Sequence, residues 1–147
     1  VFVLMEYPEL SAKVKKAEED DKELTVLDDL IAYGEKLLAC EGSALLREKT
    51  GERYKEIYSF VAERVRSYGY EHGHDLYNDK KYAEAVDYLL AVYRMGGNDA
   101  DSLYFLGRSY QRSGDEDNAR VYFQMLVDKY PGSERANMAH QCMDGLN

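Results

Sequence analysis

The C-terminal half of the sequence repeats its residue types at a spacing of 34 positions. Four pairs of identical residues keep this spacing: Gly73 and Gly107, Ala85 and Ala119, Tyr70 and Tyr104, and Tyr88 and Tyr122. A unit of this length that holds two helices cannot cover its own apolar surface, so neighbouring units have to stack to form a core. The period therefore favours an all-α repeat fold.

Breakers and helix caps in the sequence predict about seven helices. The only two prolines, Pro8 and Pro131, stand at segment edges, and strand-type alternation is absent. A thin apolar stripe predicts one helix over 9–40, which Gly42 ends, and Ser43 caps a second helix that runs to about residue 68. Breakers next to N-cap residues predict five further helices, over about 67–78, 80–95, 100–112, 115–129 and 133–145.

These elements predict three regions. Residues 1–8 are an apolar stub or linker, 9–68 an antiparallel helical hairpin (a degenerate repeat or coiled-coil-like), and 69–147 two repeat units with a C-terminal capping helix. The stub VFVLM is either the trailing end of a membrane or signal-anchor helix or a short packing segment. No stretch within the chain approaches the 18 or so consecutive apolar residues of a membrane span.

The segment LYFLGRSYQRSGDEDNARVYFQMLVDKYP, residues 103–131, resembles the tetratricopeptide repeat (TPR) family. The matching positions are Leu103, Leu106, Gly107, Tyr110, Ala119, Phe123 and Pro131. The preceding unit keeps Gly73, Leu76, Ala85, Leu89 and Val92 but departs from the pattern at Gly69, His72 and Gly97. The resemblance implies antiparallel hairpins stacked as a short right-handed superhelix. Within each hairpin we expect the glycine of one helix to lie against the alanine of the other.

A second resemblance concerns FQMLVDKYPGSERANMAHQCM, residues 123–143. It is similar to bacterial cell-envelope TPR proteins, namely the Tol-associated division coordinator and the outer-membrane assembly lipoproteins, which carry YPxS before an alanine-rich helix. This similarity favours an extracytoplasmic or membrane-anchored bacterial protein over a cytoplasmic one. Any membrane attachment is expected only through a segment upstream of Val1.

Charge and motif content argue against several classes of function. A net charge of −9 without a basic face disfavours binding to nucleic acid or to an anionic membrane surface. His72 and His74 would lie about 200° apart on a helix, and Cys40 and Cys142 have no ligand spacing. No nucleophile with a base and an orienting acid and no phosphate loop is found. We therefore expect no enzymatic activity, no cofactor and no metal site.

In a TPR stack the first helix of each unit lines the concave groove, so the resemblance implies which side chains meet a partner. With the inward glycine as marker, groove positions lie three before, one after and four after it: Tyr70, His74, Tyr77, Tyr104, Arg108, Gln111, Met138 and Cys142. Tyrosine and arginine are common anchors of protein interfaces. We expect the rings of Tyr70 and Tyr104 to be partly exposed; the alternative is that the tyrosines are spacers within the helix stack.

The sequence thus predicts a non-catalytic protein–protein interaction module that binds a peptide or helix in the groove, as part of a larger bacterial protein. The alternative is a structural homo-oligomerisation unit, such as a homodimer formed through the hairpin or the groove. Chaperone-binding TPR domains clamp a terminal carboxylate with Lys and Asn at groove positions. This chain has Tyr70, His74, Tyr104 and Arg108 there, which disfavours a chaperone adaptor.

Overall fold

A computed structural model of the chain describes the backbone of residues 2–40 and 44–146 and the side chains of 3–40 and 51–146. Its helices are α1 (Phe2–Met5), α2 (Tyr7–Glu19), α3 (Leu24–Cys40), α4 (Ala44–Asn78), α5 (Tyr82–Arg94), α6 (Ala100–Arg112), α7 (Glu116–Lys129) and α8 (Glu134–Asp144). No strand occurs in the described residues. Because α1 is a single turn, the prediction of an all-α fold with about seven helices is confirmed.

Two of the predicted helix boundaries are wrong. The helix predicted over 9–40 is divided into α2 and α3, because Asp21 takes a left-handed φ of 54° and the Lys22 amide donates to the Ala17 carbonyl at 2.7 Å. The helices predicted over 43–68 and 67–78 form the single helix α4, which continues through its internal glycines. The predicted turn at Gly42 and Ser43 lies outside the described residues.

The chain forms two compact units, Val1–Tyr68 and Gly69–Asn147, and α4 contributes residues to both. The first unit has a core of fully buried side chains: Val14, Leu27, Leu30, Leu37, Ile57, Val61 and Val65. The apolar stub takes part in this core, because Val3 is buried and its carbonyl accepts a hydrogen bond from Tyr33 Oη at 2.5 Å.

A carboxylate connects α2 to α4 in the first unit. Glu18 Oε1 accepts hydrogen bonds from Arg64 Nε at 2.6 Å and from Tyr68 Oη at 2.7 Å. Burial raises the pKa of Glu18, but the two hydrogen bonds and the charge of Arg64 outweigh it, so the pKa lies below its usual value. Burial and the neighbouring carboxylate raise the pKa of Tyr68 to about 12.

We expect Glu18→Gln to lower the free energy of unfolding by about 1 kcal/mol at neutral pH, since it removes charge-assisted hydrogen bonds that are partly open to solvent. A carboxyl whose pKa is lower in the folded state stabilises above its unfolded pKa, and this contribution disappears as pH falls through the folded pKa. Urea titrations should therefore show the difference in stability between the two proteins shrinking as the pH falls below the pKa of an unfolded glutamate. The exposed neighbour substitution Glu19→Gln is the control; an undiminished difference in acid would contradict the assignment.

The second unit is built from the C-terminal part of α4 and from α5 to α8. Short connections join α5 to α6, α6 to α7 and α7 to α8, and each pair packs as antiparallel neighbours. Asp99, Asp115 and Ser133 cap α6, α7 and α8, each accepting a hydrogen bond from a backbone amide three residues on. Buried side chains of successive helices form one core: Leu76, Ala85, Leu89, Leu103, Leu106, Ala119, Phe123, Leu126 and Ala139.

The repeated glycines lie where one helix packs closely against a side chain of the next. A Cβ atom built on Gly107 would lie 2.6 Å from Cε1 of Phe123, and one on Gly73 would lie 2.7 Å from Cγ of Leu89. Phe123 and Leu89 are themselves 34 residues apart, so the close approach repeats with the sequence period. The expectation that glycine lies against alanine is corrected here. Ala119 is fully buried, but the side chain nearest to Gly107 is the ring of Phe123.

Gly107→Ala should destabilise the protein by about 1–3 kcal/mol, because the added methyl group overlaps the Phe123 ring in a packed core. Thermal unfolding followed by circular dichroism measures this change. Gly51→Ala is the matched control, because that glycine also lies inside a helix, α4, and a Cβ there meets nothing within 4 Å. The control should gain about 1 kcal/mol from helix propensity, and a loss in both variants would contradict the close-approach explanation.

Candidate protein-binding face

The eight predicted groove residues lie on three helices of the second unit. Tyr70, His74 and Tyr77 are on α4, Tyr104, Arg108 and Gln111 on α6, and Met138 and Cys142 on α8. Ring contacts and hydrogen bonds among the eight side chains, together with two further residues, Phe105 and Arg135, connect all of them. We call the surface formed by these ten residues the aromatic face.

Phe105 lies at the centre of the aromatic face. Its ring centroid is 4.5 Å from that of His74, 5.3 Å from Tyr77, 5.2 Å from Tyr104 and 6.3 Å from Tyr70, and all four pairs are edge-to-face. His74 also stacks on Tyr70 with centroids 5.9 Å apart. Because each such pair contributes about 0.5–1.5 kcal/mol beyond area burial, these contacts hold the half-buried rings of α4 in fixed positions.

Arg108 lies among neutral groups at one end of the aromatic face. Its Nε donates to Tyr77 Oη at 3.3 Å, and its Nη1 donates to Gln111 Oε1 at 2.5 Å and lies 3.8 Å from Cys142 Sγ. Gln111 Nε2 in turn donates to the Cys142 carbonyl at 3.2 Å. Burial lowers the pKa of Arg108, but its hydrogen bond to Tyr77 and the surrounding Tyr and Cys groups outweigh this and raise the pKa above its usual value. The side chain is therefore a cation.

Arg135 has the opposite environment, because it is paired with a carboxylate. Its Nε donates to Asp101 Oδ1 at 2.8 Å, and its guanidinium carbon lies 4.6 Å from the ring centroid of Tyr104 and 5.1 Å from that of Phe105. Its Nη1 lies 3.6 Å from Met138 Sδ. The ion pair and the cation–π contacts hold Arg135 over the Tyr104 ring, at the opposite end of the aromatic face from Arg108.

A comparison with known protein families matches one part of the second unit. Residues 101–133 match the tetratricopeptide repeat family. This match covers α6, α7 and the turn after them, and TPR units generally serve as non-catalytic scaffolds for protein–protein interaction. No curated protein and no solved structure matches the chain. The similarity of residues 123–143 to cell-envelope proteins therefore stays a prediction.

The exposure of the two tyrosines expected to be partly exposed differs from the expectation at one position. Tyr70 is half-buried, as expected, but only 7% of Tyr104 is exposed. The expectation of a partly exposed Tyr104 ring is therefore wrong, because Phe105, Phe123 and the Arg135 guanidinium enclose it. The remaining members of the predicted set are half-buried: His74, Tyr77, Arg108, Gln111, Met138 and Cys142.

The sequence offsets missed two residues of the aromatic face, Phe105 and Arg135, and also missed Asp101, the ion-pair partner of Arg135. Asp101 and Arg135 are 34 apart and lie six positions before Gly107 and its equivalent position 141. Extending the groove offsets by one more helical turn would have found both. Phe105 lies between two groove positions, and only the packing of α4 against α6 brings it into the face.

The side chains of His72 and His74 pack against different helices. The ring of His72 packs against Tyr88 of α5, with centroids 4.6 Å apart, whereas His74 packs against Phe105 of α6. Within residues 3–40 and 51–146, no three His, Cys, Asp or Glu side chains form a group that fits a metal ion. No helix over the same residues has the length and apolar character needed to cross a bilayer.

We expect Tyr104→Ala to lower the free energy of unfolding by about 3–5 kcal/mol, as for other buried aromatic side chains in a core. Tyr70→Ala should cause a smaller loss, because its ring is only half-buried. Urea titration of both variants measures the difference. Equal losses would contradict the different roles assigned to the two tyrosines.

Proposed function

We propose that the protein binds a peptide or helix of a protein partner on the aromatic face, without catalysis. The observation that carries the proposal is the row of half-buried aromatic, thioether and guanidinium groups that successive TPR-type helices hold together. Aromatic residues, methionine and arginine are the types enriched in protein interfaces. The family match to residues 101–133 supports the same class of function.

The rigidity of the face favours binding. Tyr70 and His74 are already stacked, and both contact Phe105, so a partner does not have to immobilise them. Ordering a flexible side chain at an interface costs about 0.5–1.5 kcal/mol. A partner that inserts apolar groups beside these rings avoids much of that cost.

The experiment is a selection from a displayed library of random peptides against the immobilised protein, followed by affinity measurements on the selected peptides. We expect Tyr70→Ala to weaken binding by on the order of 2 kcal/mol, roughly 30-fold, if the ring is an interface anchor. The matched control is Tyr122→Ala, which removes a half-buried ring on α7 that contacts Tyr93 and Tyr110 away from the face.

Two results would contradict the proposal. One is a set of selected peptides whose affinity does not change in Tyr70→Ala. The other is a dimer, seen by light scattering at several concentrations, that Tyr70→Ala dissociates and Tyr122→Ala does not. That result would favour homo-oligomerisation through the aromatic face.

A further inference from the structure

Arg108 differs in its ion pairing from two other partly buried arginines, Arg64 and Arg135. Arg64 pairs with Glu18 at 2.6 Å and Arg135 pairs with Asp101 at 2.8 Å. For Arg108, no carboxylate among the described residues lies within the 4.0 Å of an ion pair. Its hydrogen-bond partners are instead a hydroxyl, an amide oxygen and a thiol.

The side chain of Arg108 is nevertheless held in place. Tyr77 binds Nε and Gln111 binds Nη1, and Gln111 is itself fixed to the Cys142 carbonyl. A guanidinium has five N–H donors in a planar fork. The Nη2 group of Arg108 donates to no group in the described part of the chain, so the fork retains free donors. An oriented, half-buried guanidinium of this kind suits bidentate binding of a carboxylate.

The excess of acidic residues in the chain makes an arginine without a carboxylate partner unusual. The chain has 28 acidic and 19 basic residues, so carboxylates outnumber the cations available to pair with them. A half-buried charge without an opposite charge has a desolvation cost that an intramolecular carboxylate would reduce. The chain supplies such a carboxylate to Arg135 and Arg64, but the described residues supply none to Arg108.

We propose that Arg108 binds the carboxylate of an Asp or Glu side chain of a peptide bound on the aromatic face. This inference rests on the proposed function and adds the chemistry of the partner. A side chain fits better than a chain terminus, because Arg108 lies in the middle of the stripe on α6. The half-buried Arg135 covers Tyr104 about one turn before it, and the half-buried Gln111 lies about one turn after it, so a bound segment continues on both sides.

The test uses the peptides selected from the random library by the wild-type protein. We expect one fixed peptide position to be enriched in Asp or Glu, and Arg108→Gln to weaken binding of these peptides by at least roughly tenfold, a factor that corresponds to 1.4 kcal/mol. Replacing the acidic residue by its amide should cost the wild type the same factor and should cost Arg108→Gln almost nothing. The matched control is Arg120→Gln, which removes an exposed charge on α7.

Each further outcome has a definite meaning. Peptides that depend on Tyr70 but have no acidic position, or that bind Arg108→Gln as tightly as the wild type, overturn this inference and leave the proposed function intact. Peptides that do not depend on Tyr70 overturn the proposed function itself. A loss of affinity on amidating the peptide C terminus, with none on replacing the acidic side chain, assigns Arg108 to a terminal carboxylate and contradicts the proposal. If Arg108→Gln does not fold, the peptide substitutions measured on the wild type decide the question.

Discussion

The close helix approaches at Gly107 and Gly73 are the contacts on which the second unit depends. At both positions the absence of a Cβ lets a helix pack directly against a large side chain of the next helix, Phe123 at Gly107 and Leu89 at Gly73. Each approach fixes both the separation and the rotation of its helix pair. Since the two approaches are 34 residues apart, α4 and α6 present equivalent sides. The α4 and α6 part of the aromatic face follows from this packing, because six of its residues occupy equivalent offsets from the two glycines.

The same register explains why α8 has a different outer side. Moving 34 positions on from Leu103, Leu106, Gly107 and Tyr110 leads to Asn137, His140, Gln141 and Asp144, all of which are exposed. The inner side of α8 stays apolar, with Ala136 and Ala139 buried. Position 141 holds an exposed glutamine, where the earlier units have a glycine packed against the next helix. The helix thus covers the core of the second unit on one side and presents polar groups on the other.

The sequence predicts which residues occupy equivalent positions in successive repeats better than it predicts how deeply a side chain is buried or where a helix ends. One offset rule applied to every unit selected eight residues, and all eight lie in one connected surface; that they bind a partner stays a prediction. The prediction from sequence failed at Tyr104, whose burial depends on the neighbouring Phe105 and on Arg135 from another helix. It also failed at Asp21, where a non-glycine residue takes the left-handed conformation that ends α2. Such features depend on tertiary contacts and on local backbone geometry that residue type alone does not determine.

The same repeat geometry brings different partners to the arginines at the two ends of the aromatic face. Residues 34 apart on adjacent helices come close together, and at one end this places Asp101 beside Arg135. At the other end the equivalents of Arg108 are His74 and Cys142, and its hydrogen bonds go to Tyr77 and Gln111 one turn further on. The neighbouring repeat positions therefore provide polar groups that orient the guanidinium without a carboxylate to neutralise it. Within the proposed function, this difference makes the Arg135 end a structural contact and the Arg108 end the part of the face with charge left for a ligand.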